Sequence, residues 1–249
     1  MFNIFKRSKA AVEPQEFFFN TDIHCHVLPG IDDGSPDAAT SVELVGRMKS
    51  WGLGRIIASP HVTNLTFPNT PETVGVAREN LKKALADAGT DIVIENSAEY
   101  RIDDLFARNL EAGTLMTLPN NYILIENPFI REPGNLDSVI FDLQVRGLRP
   151  ILAHPERYSY YYKHPERYEV LHNAGAMFQI NVLSLAGGYG KDERKIAEML
   201  IEKGLVDFVG TDLHNAAHAD IIDRYLASSD YLKDRDRLKG RILNDKAFN

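Results

Sequence analysis

Asp22-Ile-His-Cys-His-Val-Leu-Pro-Gly-Ile-Asp-Asp-Gly34 is an apolar run that carries two histidines and breaks off at Pro29-Gly30. Read as a strand, its period of two turns His24 and His26 to one side and Cys25 to the other. Two imidazoles on one side can share a cation. Ser35 and Pro36 then supply an N-cap and first turn for a helix over 36–51.

The same alternation continues along the chain. Strand-type runs are predicted at 21–28, 55–62, 91–98, 122–126, 150–154, 177–182 and 207–212. Helical patterns fall between them at 36–51, 71–88, 103–111, 135–146, 166–173 and 192–203, with Gly52, Gly89, Gly113, Gly147, Gly175 and Gly204 at the expected stops. Near-continuous apolar strands such as Ile151-Leu152-Ala153 imply a parallel sheet covered by helices. The strand pattern alone does not separate a barrel from an open doubly wound sheet; the placement of the polar residues favours the barrel. The expectation is one domain over 1–249, with 1–18 as an N-terminal extension.

Each notable donor lies at the C-terminal end of a predicted strand, the face on which α/β sheets build their sites. His24 and His26 end the first strand, His61 the second, Glu99 follows the third, His154 ends the fifth, and Asp212 and His214 close the seventh. Imidazole nitrogen and carboxylate oxygen suit Mn, Fe, Co or Zn without thiolate. Any single buried histidine is ordinarily a satisfied core residue; five histidines and two acids on one face are not explained that way.

Other residues read two ways. Glu43 either reaches in from the first helix or pairs with Arg47 one turn on. Asp32 and Asp33 sit in a loop where acids often cap turns. Arg157, just past His154, meets either an anionic substrate or Glu156 or Glu169. The segment Ala186-Gly-Gly-Tyr189-Gly190 is either a closing loop or a plain turn. His154-Pro-Glu-Arg-Tyr158 is echoed by His164-Pro-Glu-Arg-Tyr168, but only His154 follows a strand.

Composition narrows the classes. The 28 basic and 35 acidic side chains leave a net charge of −7 without a basic stripe, which argues against nucleic acid. Lys6, Arg7 and Lys9 precede no signal-length apolar core, and Phe17-Phe18-Phe19 is too short to span a membrane. The lone Cys25 cannot form an intramolecular disulfide. A cytoplasmic protein without a membrane span is expected.

The run from Asp22 to Gly34, with Ala58-Ser-Pro-His61, His154-Pro-Glu-Arg-Tyr158 and Gly210-Thr-Asp-Leu-His-Asn215, resembles the polymerase and histidinol phosphatase (PHP) superfamily. Within it, the likeness is to the manganese-dependent tyrosine-protein phosphatases of bacterial capsule and exopolysaccharide operons. The resemblance covers about Thr21 to His214. It implies a distorted seven-stranded (βα)7 TIM-like barrel holding two or three divalent ions, manganese in the first place. His24, His26, Glu99 and Asp212 would hold one ion, Glu99 and His154 a second, and Glu43, His61 and His214 a third. Arg157, Asp212 and His214 are the candidate catalytic residues; Arg157, Tyr189 from the 186–190 loop and His218 are the candidate substrate contacts. The implied substrate is a phosphotyrosine protein, the tail of a cognate tyrosine kinase. Relatives place a second arginine shortly after the Asp-x-His-Asn motif; here Asn215 is followed by Ala216, Ala217, His218 and Ala219, with His218 as a candidate substitute.

The chemistry expected is in-line attack on phosphorus by water activated at the cations, with Arg157 offsetting charge on the phosphoryl oxygens. A cysteine nucleophile of the common tyrosine-phosphatase kind would need an arginine six residues after Cys25, and that position is Ile31. The alternatives are a histidinol-phosphatase-like enzyme acting on a small molecule, a metal-dependent nuclease or amidohydrolase, and a catalytically weak metal-binding regulator.

Overall fold

The computed structural model describes residues 13–248, so the basic cluster Lys6, Arg7 and Lys9 lies outside the described residues. Nine strands occur among them: β1 (Thr21–Asp22), β2 (Arg55–Ala58), β3 (His61–Val62), β4 (Val93–Asn96), β5 (Glu99–Arg101), β6 (Tyr122–Glu126), β7 (Arg149–Ala153), β8 (Met177–Asn181) and β9 (Phe208–Gly210). All pair in parallel, in two sheets ordered β1-β2-β4 and β3-β5-β6-β7-β8-β9.

The single seven-stranded sheet expected from the sequence is thus replaced by two sheets, because two of the runs are interrupted. The run at 55–62 breaks at Ser59-Pro60, where proline has no N–H to give a ladder. The run at 91–98 ends early, and Glu99 starts a new segment whose N–H donates to Pro60 O at 3.0 Å. β3 and β5 resume the courses of β2 and β4, and set His61 directly opposite Glu99.

Helices follow the strands: α1 (Ala38–Ser50), α2 (Pro71–Asp87), α3 (Asp104–Ala112), α4 (Leu136–Val145), α5 (Glu166–Asn173), α6 (Val182–Leu185), α7 (Lys191–Lys203), α8 (Ala216–Leu226) and α9 (Ser229–Leu238). The six expected helices match α1 to α5 and α7; α6, α8 and α9 were not anticipated. Asp37, not Ser35, caps α1 by accepting from Thr40 N at 2.8 Å. No helix among the described residues is long and apolar enough to cross a membrane.

Strand alternation divides the core in two. Ile23, Ile57, Leu124, Ile151, Ala153 and Phe208 gather on the inner side with Phe248, while Ile56, Ile125, Leu152, Ile180 and Val209 face the helices. Burial on both faces explains why the strands read as continuous apolar runs. Cys25 belongs to the helix-facing layer, fully buried.

The first and last strands meet along a hydrogen-bonded seam. Asp212 N donates to His24 O at 2.7 Å and His26 N to Leu213 O at 2.9 Å. Below them the Thr211 hydroxyl donates to Asp22 at 2.5 Å, and Asn244 bridges Thr21 O and Val209 O through Nδ2 while accepting from Val209 N.

Candidate metal centre

The donors converge at the C-terminal ends of β1, β6, β7 and β9 and at the breaks that follow β2 and β4. His24 and His26 follow β1, His61 opens β3, Glu99 opens β5, Glu126 ends β6, His154 follows β7, and Asp212 and His214 follow β9. Both His154 (φ 34°) and Asp212 (φ 51°) hold the left-handed backbone conformation, strained for residues with a Cβ and characteristic of functional sites. Two glycines make the approach of these segments feasible. A Cβ on Gly34 would lie 2.1 Å from His26 O, and one on Gly210 would lie 2.7 Å from His24 Cβ.

Three side chains, His24, His26 and Asp212, enclose a first position, and Glu99 stands beside the two histidines. His24 Nε2 is 3.4 Å from His26 Nε2, 3.4 Å from Glu99 Oε1 and 3.5 Å from Asp212 Oδ1. His26 Nε2 is 3.6 Å from Glu99 Oε2 and 3.4 Å from Asp212 Oδ1. The three atoms His24 Nε2, His26 Nε2 and Asp212 Oδ1 form a triangle that leaves a point about 2.1 Å from each, the bond length of imidazole nitrogen or carboxylate oxygen to a divalent cation. The residues fit a metal.

Two further groups adjoin the first, one through His24 and Glu99 and one through His26. His154 Nε2 is 2.9 Å from Glu99 Oε1 and 3.7 Å from Glu126 Oε1. His61 and His214 approach Asp33 Oδ1 at 3.4 and 3.6 Å through their Nε2 atoms. His61 Nδ1 and Glu99 Oε2 stand 2.8 Å apart without hydrogen-bond geometry, and both are buried without a hydrogen-bond partner among the described residues. Atoms that face one another in this way suit a shared cation better than a hydrogen bond.

Outer contacts fix the ligand orientations. His24 Nδ1 lies 2.7 Å from Gln179 Oε1, and His26 Nδ1 lies 2.8 Å from Asp32 Oδ2, so each ring gives its N–H outward and points Nε2 at the cluster. Asp32 also accepts from the N–H of Gly34 and of His61. Asp212 turns Oδ2 away from the histidines, where it accepts from Arg157 Nη1 at 3.0 Å, Asn181 Nδ2 at 2.6 Å and the Tyr189 hydroxyl at 2.9 Å.

Without a cation the cluster balances its charge with protons. Burial disfavours a charged His24, but Glu99 and Asp212 outweigh it and raise its pKa to about 9. For His61, burial is likewise outweighed by Glu99, Glu126 and Asp33, giving about 10. Burial pushes Glu126 up to about 7, helped by the charge of Glu99, and pushes His154 down to about 4. Asp212 is buried, yet His24, His26, His214 and Arg157 hold it well below the usual carboxylate range.

An open cavity of about 370 Å³ adjoins the cluster, walled by Arg101, Phe129, Arg157, Tyr189, Asn215 and His218 as well as by donors. Arg157 lies between two aromatic faces, 4.0 Å from the Tyr189 centroid and 4.8 Å from that of Phe129. It contacts Asp212 rather than Glu156 or Glu169.

Of the residues singled out from sequence, His24, His26, His61, Glu99, His154, Asp212 and His214 come together, and Arg157, Tyr189 and His218 line the adjoining cavity. Glu43 does not join them. It lies exposed on α1, whose buried face is formed by Ser41, Leu44, Val45 and Met48, and Asp33 instead stands beside His61 and His214. Nor does Glu43 pair with Arg47, which reaches Asp220 and Asp223 on α8. Sequence reasoning missed Glu126, although it ends its strand run as the other donors do.

The family described as "Capsular polysaccharide synthesis, CpsB/CapC" matches residues 20–221. Tyrosine-protein phosphatase YwqE of Bacillus subtilis is 37% identical over 195 residues, 78% of this chain and 77% of its own. Tyrosine-protein phosphatase CpsB of Streptococcus pneumoniae is 27% identical over 202 residues, 78% of this chain and 82% of its own. A solved structure from work on those two proteins, described as unique metal-dependent tyrosine phosphatases, superimposes with a TM-score of 0.75 at 32% identity, covering 89% of this chain and 95% of its own.

Proposed function

We propose that this chain, which belongs to the capsular polysaccharide synthesis family CpsB/CapC, is a metal-dependent phosphatase that hydrolyses phosphotyrosine on a protein. The observation that carries the reading is the set of three donors, His24, His26 and Asp212, spaced 3.4 to 3.5 Å apart around one point, with Glu99 beside both histidines and an arginine-lined cavity adjoining. We read the two sheets as a distorted seven-stranded barrel and the cluster as a site for three cations, manganese first. The substrate is the tail of a cytoplasmic tyrosine kinase of polysaccharide export.

His24, His26, Glu99 and Asp212 would hold one ion, Glu99, Glu126 and His154 a second, and Asp33, His61 and His214 a third. Bound divalent cations supply activated water near neutral pH and positive charge against the phosphoryl oxygens. The chain's own residues do the positioning. Arg157 offers bidentate donors to the phosphoryl group, and its seat between Phe129 and Tyr189 limits its rotation. Phe129, stacked on His154 at 5.7 Å, gives the cavity an apolar wall for a phenyl ring. The water oxygen adds to phosphorus, the bond from phosphorus to the phenolic oxygen breaks, and tyrosine and inorganic phosphate leave.

Cys25 takes no part. It is buried among core side chains and burial raises its thiol pKa well above the ordinary value, so no thiolate faces the cavity.

The test is to strip the protein with chelator, restore Mn, Fe, Co or Zn, and assay a phosphotyrosine peptide beside histidinol phosphate. Metal-restored turnover of the peptide is expected. Turnover of histidinol phosphate alone would replace this reading with a small-molecule phosphatase.

A further inference from the structure

Two arginines line the cavity, and the reading above uses only Arg157. Arg101 is the last residue of β5, and the parallel register sets it opposite Glu126 at the end of β6. Its Nε donates to Glu126 Oε2 at 3.2 Å. The two terminal nitrogens make no hydrogen bond to the described residues, which leaves four N–H donors of a side chain 36% exposed at the cavity wall. Arg157 is more committed, since one terminal nitrogen already serves Asp212.

No arginine of α8 lines this cavity. Asn215 caps that helix, His218 is the member of its first turn that enters the cavity, and Arg224 lines a separate depression with Gly187, Gly188 and Tyr225. A phosphate dianion has more oxygens than one partly committed guanidinium can satisfy, and planar guanidinium groups match them in pairs.

We propose that Arg101 is the second anion-binding residue of this site, gripping the phosphoryl oxygens of the substrate and the phosphate product together with Arg157. Its bond to Glu126 holds one edge of the guanidinium and leaves the terminal nitrogens for the ligand. This rests on the phosphatase reading and adds a substrate-binding residue to it.

The experiment measures inorganic phosphate binding to the metal-restored full chain by calorimetry, and phosphate inhibition of phosphotyrosine peptide hydrolysis, in the native protein, Arg101→Ala, Arg101→Lys and Arg157→Ala. Bound metal is counted in each. Loss of a charge-assisted donor pair should weaken phosphate by about tenfold or more in Arg101→Ala, with metal content unchanged and partial recovery in Arg101→Lys. Unchanged phosphate affinity in Arg101→Ala, or a loss that tracks departure of metal, would overturn the proposal and reduce Arg101 to a support for Glu126. A native protein that neither binds phosphate nor hydrolyses the peptide would overturn the phosphatase reading itself.

Discussion

Asp212 divides its two oxygens between two tasks: Oδ1 faces His24 and His26, and Oδ2 collects donors from Arg157, Asn181 and Tyr189. Asp212→Ala removes a ligand and releases Arg157 together, so peptide turnover should fall by about a thousandfold or more. Near-native kinetics in that variant would remove the metal reading. The outer contacts carry a smaller prediction: Gln179→Ala and Asp32→Asn should each weaken metal binding by about 10–100-fold, read by titration with a competing chelator. Proton linkage gives a third. His24 and His61 hold protons up to about pH 9 and 10 in the metal-free protein, and both must lose them to bind. Metal affinity should therefore rise as pH increases from 6 towards 9 and fall as it decreases, with protons released on binding at pH 7. At this scale most of the site was legible, because a strand period of two makes His24 and His26 a pair before any coordinates exist. Glu43 falls on the exposed side of α1, away from the buried Ser41, Leu44, Val45 and Met48, whereas Asp33 is delivered by a loop whose path no periodicity describes.

Elements were legible where a run was uninterrupted. The predicted helix at 166–173 is the observed α5, and the other five agree within two residues at every end. The breaks were not foreseen, although Pro60 announces one of them. The break also has a use, since it lets β3 begin with His61 directly against Glu99. The loop from Pro29 to Gly34 shows the same coupling of chain path and chemistry. A side chain at Gly34 would strike the backbone of His26, so Gly34→Ala should displace Asp33 and lower metal content by one ion per chain while the far-ultraviolet circular dichroism stays native. Retention of every ion would show that Asp33 is no ligand.

Across the whole molecule, the seam between the first and last strands is the place where distant parts of the chain depend on one another. Asn244 supplies three hydrogen bonds there, and Phe248 packs with Tyr122 and Phe208 at the inner end of the sheet. Asn244→Ala would strand buried backbone groups on both strands and should lower stability by roughly 1–3 kcal/mol, read as a shifted urea midpoint. Parallel strands and covering helices were visible in the sequence; the seam was not, because hydrogen bonds between residues more than 180 positions apart leave no local pattern. The measurement that bears most directly on the account is a titration of manganese into chelator-stripped protein, counting bound metal while following hydrolysis of a phosphotyrosine peptide. The account predicts no hydrolysis from the stripped protein and full recovery when two to three ions are bound per chain. Full hydrolysis with no metal bound would contradict it.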